Sequence, residues 1–297
     1  MNIQFTKKYQ ILLQLFVLAG CLLVVIAPNV VQAKLNQNIS NTLEFGVFPY
    51  FPLRELEKIY APIAANFSEH LGVNIAFRSS SSYGKFRDIA DNQVFDIVFV
   101  QPFDYVRLAD KYGYVPLATH VDRLKAVFAA KNASVLTKLT DLRGKKIAFP
   151  PPSAAVSLLL RAYLRQQGLF EGRDISISYH STHVSCMQQV LIGNADVCGT
   201  EEVSMQFFAN RMRVKMKIIA RTQPIPHVLF AAHPRVSEKQ RDELIKTILS
   251  WNDSENGRQF MGRANFGAFV KITDKDYDVV RAISHNLKSD TLDSGTR

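Results

Sequence analysis

The sequence predicts an α/β protein of two lobes, each a mainly parallel sheet flanked by helices, with two hinge crossings of the chain between the lobes. Short apolar runs of strand length alternate with amphipathic segments of helix length. This alternation occurs in two successive halves, and an irregular stretch separates them. The 264 residues that follow the first 33 are enough for two domains of about 100–150 residues each.

Residues 1–33 have the features of an export signal. Lys7 and Lys8 precede an apolar run over 11–26, and a small-residue cleavage pattern ends at Ala33. Cys21 also ends a Leu-Ala-Gly-Cys pattern at which bacterial lipoproteins are cut and lipidated, although the chain stays apolar after it. We predict cleavage near Ala33 and a location in the periplasm or at the outer face of the membrane. Lipidation at Cys21 and an uncleaved anchor are the alternatives.

The chain is basic, with a formal net charge of +10 from 36 basic and 26 acidic residues. Removal of the signal takes away two lysines and leaves +8. This balance suits an anionic ligand or an anionic membrane surface. No block of basic residues interleaved with aromatics is present, so a nucleic-acid partner is not expected.

The first half predicts three strand-helix units. A run of serines precedes the second helix, and one of them can cap it. Consecutive units of this kind form a parallel sheet, and we assign residues 43–122 and 225–297 to lobe 1. The predicted segments are a strand over 44–48, a turn over 49–52, a helix over 55–70, a strand over 74–77, a helix over 85–91, a strand over 95–100 and a helix from 102.

The second half predicts a further series of strands and helices, and we assign residues 123–224 to lobe 2. After it, the chain returns to lobe 1 through 222–226 and a segment over 230–232. The predicted segments of lobe 2 are strands over 123–130, 145–149, 175–179, 196–199 and 217–220, with helices over 154–161, 184–192 and 203–210. Two helices over 237–251 and 274–287 complete the chain.

The loop over 150–154 is the first candidate for a site. Three prolines stop the strand before it, and Ser153 is expected to cap the helix that begins at Ala154. The free N–H groups at the start of a helix bind anions when they lie at the carboxyl ends of parallel strands. We therefore predict that backbone N–H groups of Ala154 and Ala155 hold part of a small anion. An ordinary strand-to-helix turn is the alternative.

A set of short motifs, in this order and spacing, resembles the phosphate, phosphite and phosphonate binding proteins of ABC transporters, which have the type 2 periplasmic binding protein fold. The resemblance extends over about 43–287. The motifs are Tyr60-Ala61-Pro62-Ile63, Leu71-Gly72, Ser82-Tyr83, Phe95-Asp96-Ile97-Val98, Gln101-Pro102, residues 139–149, Ser181-Thr182-His183, residues 190–197, Pro224-Ile225-Pro226 and residues 276–281.

The resemblance implies a ligand held between the lobes. The positions that match ligand-facing positions of the family, or lie at the matching turns, are Tyr50, Tyr83, Gln101, Ser153, Ala154, His183 and Glu201. The chain departs from the family where Ala154 and Ala155 replace two hydroxyl residues of a Ser-Thr-Ser loop. Each lost hydroxyl removes a hydrogen bond worth about 0.5–1.5 kcal/mol.

Each of these residues also has a structural interpretation. His183 can be a surface loop residue, and Tyr83 can serve packing alone. Glu201 can be a solvated acid that is stabilised by the dipole of the helix that it starts.

Cys186 and Cys198 are a candidate disulfide in an exported chain. The start of one predicted helix and the end of the next predicted strand lie at the same edge of the sheet, so a Cα separation of about 5.5–6 Å is feasible. Two thiols packed separately between helix and sheet are the alternative.

The leading functional hypothesis is a monomeric, non-catalytic solute-binding protein that closes on a small oxyanion and delivers it to a membrane permease. The alternative is a sensory protein of the same fold that signals to a membrane histidine kinase. An enzyme is third, because the sequence has no Ser-His-Asp spacing, paired-carboxylate motif, metal-ligand cluster or phosphate-binding loop of the Walker type. No cofactor is expected.

Overall fold

The structure is a computed structural model that describes residues 42–264 and 266–293. The predicted signal over 1–33, with Cys21 and Ala33, lies outside the described residues. No helix in those two ranges is both long enough and apolar enough to cross a bilayer.

Eleven strands form two separate sheets in the described ranges. They are β1 Thr42–Val47, β2 Asn74–Arg78, β3 Ile97–Val100, β4 Val115–His120, β5 Ala126–Lys131, β6 Lys146–Phe149, β7 Ser176–Tyr179, β8 Val197–Glu201, β9 Met216–Arg221, β10 Leu229–Ala232 and β11 Phe269–Lys271. The first sheet has the order β11-β4-β10-β3-β1-β2, and the second has the order β7-β6-β8-β5-β9.

Helices flank both sheets. They are α1 Leu53–Leu71, α2 Tyr83–Asp91, α3 Pro102–Tyr112, α4 Ala155–Gln166, α5 His183–Ile192, α6 Glu202–Met212, α7 Glu238–Ser250, α8 Glu255–Ala264 and α9 Asp278–Asp293. The Oγ of Ser82 accepts from the backbone N–H of Lys85 at 3.3 Å, so one serine of the run caps α2 as expected.

The two-sheet α/β fold is confirmed, but both sheets are mixed rather than mainly parallel. β1 is parallel to β3, and β6 is parallel to β7 and β8. By contrast, β10 is antiparallel to β3 and β4, and β5 is antiparallel to β8 and β9. The parallel strands end at the edge where the chain passes between the sheets. β5 and β10 each begin at this edge, directly after a crossing. They therefore run antiparallel to the strands that end there.

The chain passes between the sheets at 121–125 and 222–228. These two crossings are bonded to each other, because Leu124 and Ile225 exchange backbone hydrogen bonds of 2.9 and 3.0 Å. The strand predicted over 123–130 starts only at Ala126 because its first residues belong to this crossing. The predicted lobe boundaries at 122/123 and 224/225 stay a prediction.

Three elements were missed from the sequence: β4, α8 and β11. β11 has three residues, which is too short for an alternating pattern. α8 contains Gly257, and a Cβ there would lie 2.1 Å from the Cα of Trp251, so close packing requires a residue that weakens the helix signal. The helix predicted over 274–287 begins as a 3₁₀ turn over Asp274–Tyr277 and continues as α9, which packs against α3 and α4.

Candidate functional site

The candidate residues follow the carboxyl ends of strands in both sheets. In the first sheet, Tyr83 begins α2 after β2, and Gln101 directly follows β3. In the second sheet, His183 begins α5 after β7, and Glu201 ends β8. Because these edges are joined by the two crossings, the strand ends of the two sheets face one cleft.

The loop before α4 differs from the prediction. Ala154, not Ser153, is the N-cap residue, and it makes no side-chain cap hydrogen bond. The backbone N–H of Ala154 donates to the carbonyl oxygen of Pro151 at 2.9 Å, which closes a tight turn. Ser153 lies inside this turn, and the helix therefore begins at Ala155, one residue later than predicted. Since that N–H is engaged within the loop in this structure, the predicted role of Ala154 in anion binding stays a prediction.

A buried hydrogen bond connects the two sheets across the cleft. The backbone N–H of Ala155, at the first position of α4, donates to Oε1 of Gln101 at 2.8 Å. Gln101 is 6% exposed. The N-terminus of α4, predicted to hold an anion, therefore lies against the glutamine that follows β3.

Asp104 fixes the orientation of the Gln101 amide. Nε2 of Gln101 is 3.4 Å from Oδ2 of Asp104, and Nε of Arg87 donates to Oδ1 of the same carboxylate at 2.7 Å. Asp104 is 1% exposed, so this carboxylate is a buried acceptor that must be hydrogen-bonded. The amide nitrogen faces Asp104, and the amide oxygen therefore faces Ala155.

Gly199 in β8 allows α4 to approach the second sheet closely. A Cβ at this position would lie 2.3 Å from Cε1 of Phe149 and 2.5 Å from Cδ1 of Leu160. Both distances are shorter than any ordinary carbon contact, so a larger residue would displace α4. This packing sets the position of the α4 N-terminus in the cleft.

His183 is a neutral imidazole at the start of α5. Its Nδ1 is 2.8 Å from Oγ1 of the buried Thr200. Burial lowers the pKa of His183 to about 4, because a charged ring loses hydration in the cleft. At neutral pH His183 therefore acts as a neutral hydrogen-bonding group.

Glu201 lies against His227, which belongs to the second crossing. Oε1 of Glu201 is 3.9 Å from Nε2 of His227. Burial raises the pKa of Glu201 to about 7, and a hydrogen bond with Ser204 opposes this rise. Burial, with a smaller effect of His120, lowers the pKa of His227 to about 3.

The tautomer of His227 follows from its backbone contact. Its Nδ1 accepts from the backbone N–H of Val228 at 2.8 Å. The proton of the neutral ring is then on Nε2, the atom that faces Glu201. His120, at the end of β4, has its ring centroid 5.1 Å from that of His227, and burial also lowers the pKa of His120.

The two tyrosines lie on the first-sheet side of the cleft. Tyr83 is half-buried, and burial raises its pKa, with further contributions from the negative charges of Asp104 and Glu201. The ring centroid of Tyr83 lies 6.2 Å from that of Phe48, which follows β1. The hydroxyl of Tyr50 contacts the hydroxyl of the buried Tyr60 at 2.9 Å, so it points toward α1.

A disulfide joins Cys186 in the first turn of α5 to Cys198 in β8, with Cα atoms 5.7 Å apart. Both residues are fully buried. The bridge ties the helix that begins with His183 to the strand that ends with Glu201. It therefore holds two candidate site residues of the second sheet in a fixed relation.

Sequence reasoning missed Asp104, Thr200 and His227. His227 directly follows the Pro-Ile-Pro motif, which was the available signal for it. Asp104 and Thr200 are an ordinary helix acid and an ordinary strand residue in the sequence, so nothing there distinguishes them. In the described ranges, no group of three or more His, Cys, Asp or Glu side chains is placed to hold a metal ion.

The cleft thus offers mainly neutral hydrogen-bond donors. They include the ring N–H of His227 and the N–H of Ala155, which donates to Gln101 in this structure. We expect the Tyr83 hydroxyl and His183 to face the same space. Such groups can hold the oxygens of a small anion. Contact of the individual residues with a ligand stays a prediction.

Comparisons with known proteins identify the family and the fold of the chain. Residues 45–277 match the family described as the periplasmic substrate-binding protein of phosphonate ABC transporters. PhnD1 from Prochlorococcus marinus, in complex with methylphosphonate, has a TM-score of 0.70 at 18% identity over 84% of this chain and 98% of that one. A binding protein component of an ABC phosphonate transporter from Pseudomonas aeruginosa has a TM-score of 0.69 at 14% identity, over 84% of this chain and 88% of that one.

A third similar structure is a Xanthomonas citri protein bound to ATP, with a TM-score of 0.70 at 14% identity over 84% of this chain and 98% of that one. At these identities the structures establish the shared fold, whereas the family match covers most of the chain. The chain belongs to the family of periplasmic substrate-binding proteins of phosphonate ABC transporters.

Proposed function

We propose that the protein binds a small phosphonate or a related oxyanion between its two sheets and delivers it to the permease of an ABC transporter. The observation that carries this proposal is the hydrogen bond between Ala155 and Gln101. It supports a site at the N-terminus of α4, because it joins this helix on the second sheet to the residue that follows β3 in the first. A ligand at this point contacts both lobes, and its binding energy favours their closure.

The ligand residues that we propose are Tyr50, Tyr83, Gln101, Ser153, Ala154, His183 and Glu201. Since Ala154 and Ala155 carry no hydroxyl, recognition in this loop depends on Ser153 and on backbone N–H groups of the first turn of α4. Backbone groups are less selective for one anion than a set of hydroxyls at fixed positions. The proposal therefore extends to oxyanions other than phosphonates.

The family description names a transporter, and this favours transport over signalling to a histidine kinase. We propose that the protein acts as an exported monomer without catalysis. Cleavage near Ala33 remains our preferred processing, with lipidation at Cys21 as the alternative.

Closure on ligand should be measurable in solution. The crossings at 121–125 and 222–228 bend together because they are hydrogen-bonded to each other. With saturating methylphosphonate, small-angle X-ray scattering should give a smaller radius of gyration than without it. An unchanged radius, in a sample where thermal stabilisation proves that methylphosphonate is bound, would count against the closing mechanism.

Replacement of Ala155 by proline tests the α4 N-terminus. Proline is well tolerated at the first position of a helix, and Ala154 has the extended backbone (φ −67°, ψ 139°) that a residue before proline prefers. The substitution therefore deletes the N–H that donates to Oε1 of Gln101 in this structure, and that we propose turns to an oxygen of the bound ligand, while it leaves the helix intact. We expect methylphosphonate to bind about threefold to tenfold more weakly by calorimetry, the equivalent of one hydrogen bond.

A matched control is Glu238→Pro, at the first position of α7 after its N-cap Ser237. It makes the same change to a helix outside the cleft and should leave the affinity unchanged. If Ala155→Pro folds like the control and binds methylphosphonate as tightly as the wild type, the α4 N-terminus is not part of the site.

A further inference from the structure

The outer side of α5 and α6 exposes large apolar side chains. Val184, Ile192, Val203 and Phe207 are 44%, 67%, 70% and 62% exposed. Both helices bury their opposite sides in one cluster on the second sheet, so their exposed sides form one layer. We call this layer the outer face and define it as Val184, Gln188, Ile192, Val203, Phe207 and Arg211, which follow one another at steps of four residues on each helix.

The composition of the outer face is unusual for this protein. At the same spacing, α7 exposes Glu238, Asp242 and Lys246, which are all charged. The outer face has four apolar side chains, one glutamine and one arginine, and no acid. Single exposed apolar residues are common, but adjacent ones on neighbouring helices indicate an interaction surface.

The charges at the end of the outer face are all positive. Arg211, Arg213 and Lys215 are exposed, and none of them takes part in a salt bridge within residues 42–264 and 266–293. The nearest acid along α6, Glu202, is paired with Arg221 at 3.0 Å. A partner of this surface therefore needs both apolar and anionic character.

We propose that the outer face binds the surface of a membrane that contains anionic phospholipids. Apolar side chains beside arginine and lysine are the combination by which helices lie at a bilayer interface, with the apolar groups inserted and the cations at the headgroups. The outer face belongs to two helices that pack against each other. Binding there would hold an exported protein beside the membrane in which its permease resides.

The outer face leaves the cleft accessible. α5 begins at His183 and α6 directly follows Glu201, so both helices start at the cleft and run away from it. A membrane that contacts Phe207 and Arg211 lies along the side of the second sheet. The mouth between the sheets stays open to ligand.

A tryptophan reporter tests this proposal on the exported protein. The single tryptophan, Trp251, is 3% exposed and gives a constant background. In Phe207→Trp, vesicles of phosphatidylcholine with about one third phosphatidylglycerol should shift the emission to shorter wavelength, and brominated lipid should quench it. Asp242→Trp, on α7, is the control and should show neither effect.

The three cations are then replaced together by glutamine in the Phe207→Trp background. The lipid concentration at half-maximal shift should rise on the order of 100-fold at low salt, because each cation contributes roughly fivefold. The proposal is overturned if the emission of Phe207→Trp does not respond to vesicles, if Asp242→Trp responds equally, or if only membranes containing the permease give a response.

Discussion

Removal of the Cys186–Cys198 disulfide by paired alanine substitution is expected to lower the free energy of unfolding by about 3 kcal/mol. The bridge spans 12 residues, and closing a loop of this size restricts mainly the unfolded chain. Both cysteines are fully buried and lie in the apolar cluster between α5, α6 and the second sheet. Alanine removes two buried sulfurs from this cluster, so a small cavity contribution adds to the loss that comes from the freed unfolded chain.

Urea denaturation measures this loss. When a reductant is present, the wild type should unfold at a lower urea concentration. The reductant cuts the bridge in the unfolded chain and so removes the restriction on that chain. The paired variant should be insensitive to the reductant and should resemble the reduced wild type. A paired variant within 0.5 kcal/mol of the oxidised wild type, roughly the range of a neutral surface substitution, would show that the bridge contributes little.

The change in unfolding free energy caused by Glu201→Gln should be more stabilising at pH 8 than at pH 4 by roughly 3 kcal/mol. Burial raises the pKa of Glu201 from an ordinary 4.5 to about 7. Below 4.5 the group is protonated in both the folded and the unfolded chain, and it has no effect. Between pH 4.5 and about 7, Glu201 is ionised in the unfolded chain but protonated in the folded one. The wild type therefore loses stability as the pH rises through this range.

Glutamine cannot ionise, and it keeps an oxygen that can face Nε2 of His227. The difference in unfolding free energy between the two proteins, measured at pH 4 and pH 8, isolates Glu201 because His183 and His227 are present in both. Glu202→Gln is the control: its pKa is lowered by Arg221, so the pH dependence of its effect should have the opposite sign. If the unfolding free energies of Glu201→Gln and the wild type change equally between pH 4 and pH 8, Glu201 titrates as an ordinary carboxyl group.

Local pattern predicted most of the fold. The apolar runs and amphipathic helices give two α/β halves, and the order of the short motifs gives the family. Both follow from the sequence because the alternation of buried and exposed residues is a local property. The elements that were missed, β4, β11 and α8, pack against neighbours distant in sequence. These neighbours are β10 for β4, β4 for β11 and α1 for α8.

The sequence by itself determined which residues follow the carboxyl ends of strands, and so it indicated Gln101, His183 and Glu201 as cleft residues. The tertiary structure alone decided their partners. The Ala155 N–H donates to Gln101, 54 positions away, and His227 of the second crossing lies against Glu201. It also decided how these groups titrate, because burial lowers the pKa values of His183 and His227 and raises the pKa of Glu201. Burial depends on how the two sheets face each other, and the local sequence pattern of a segment does not predict that arrangement.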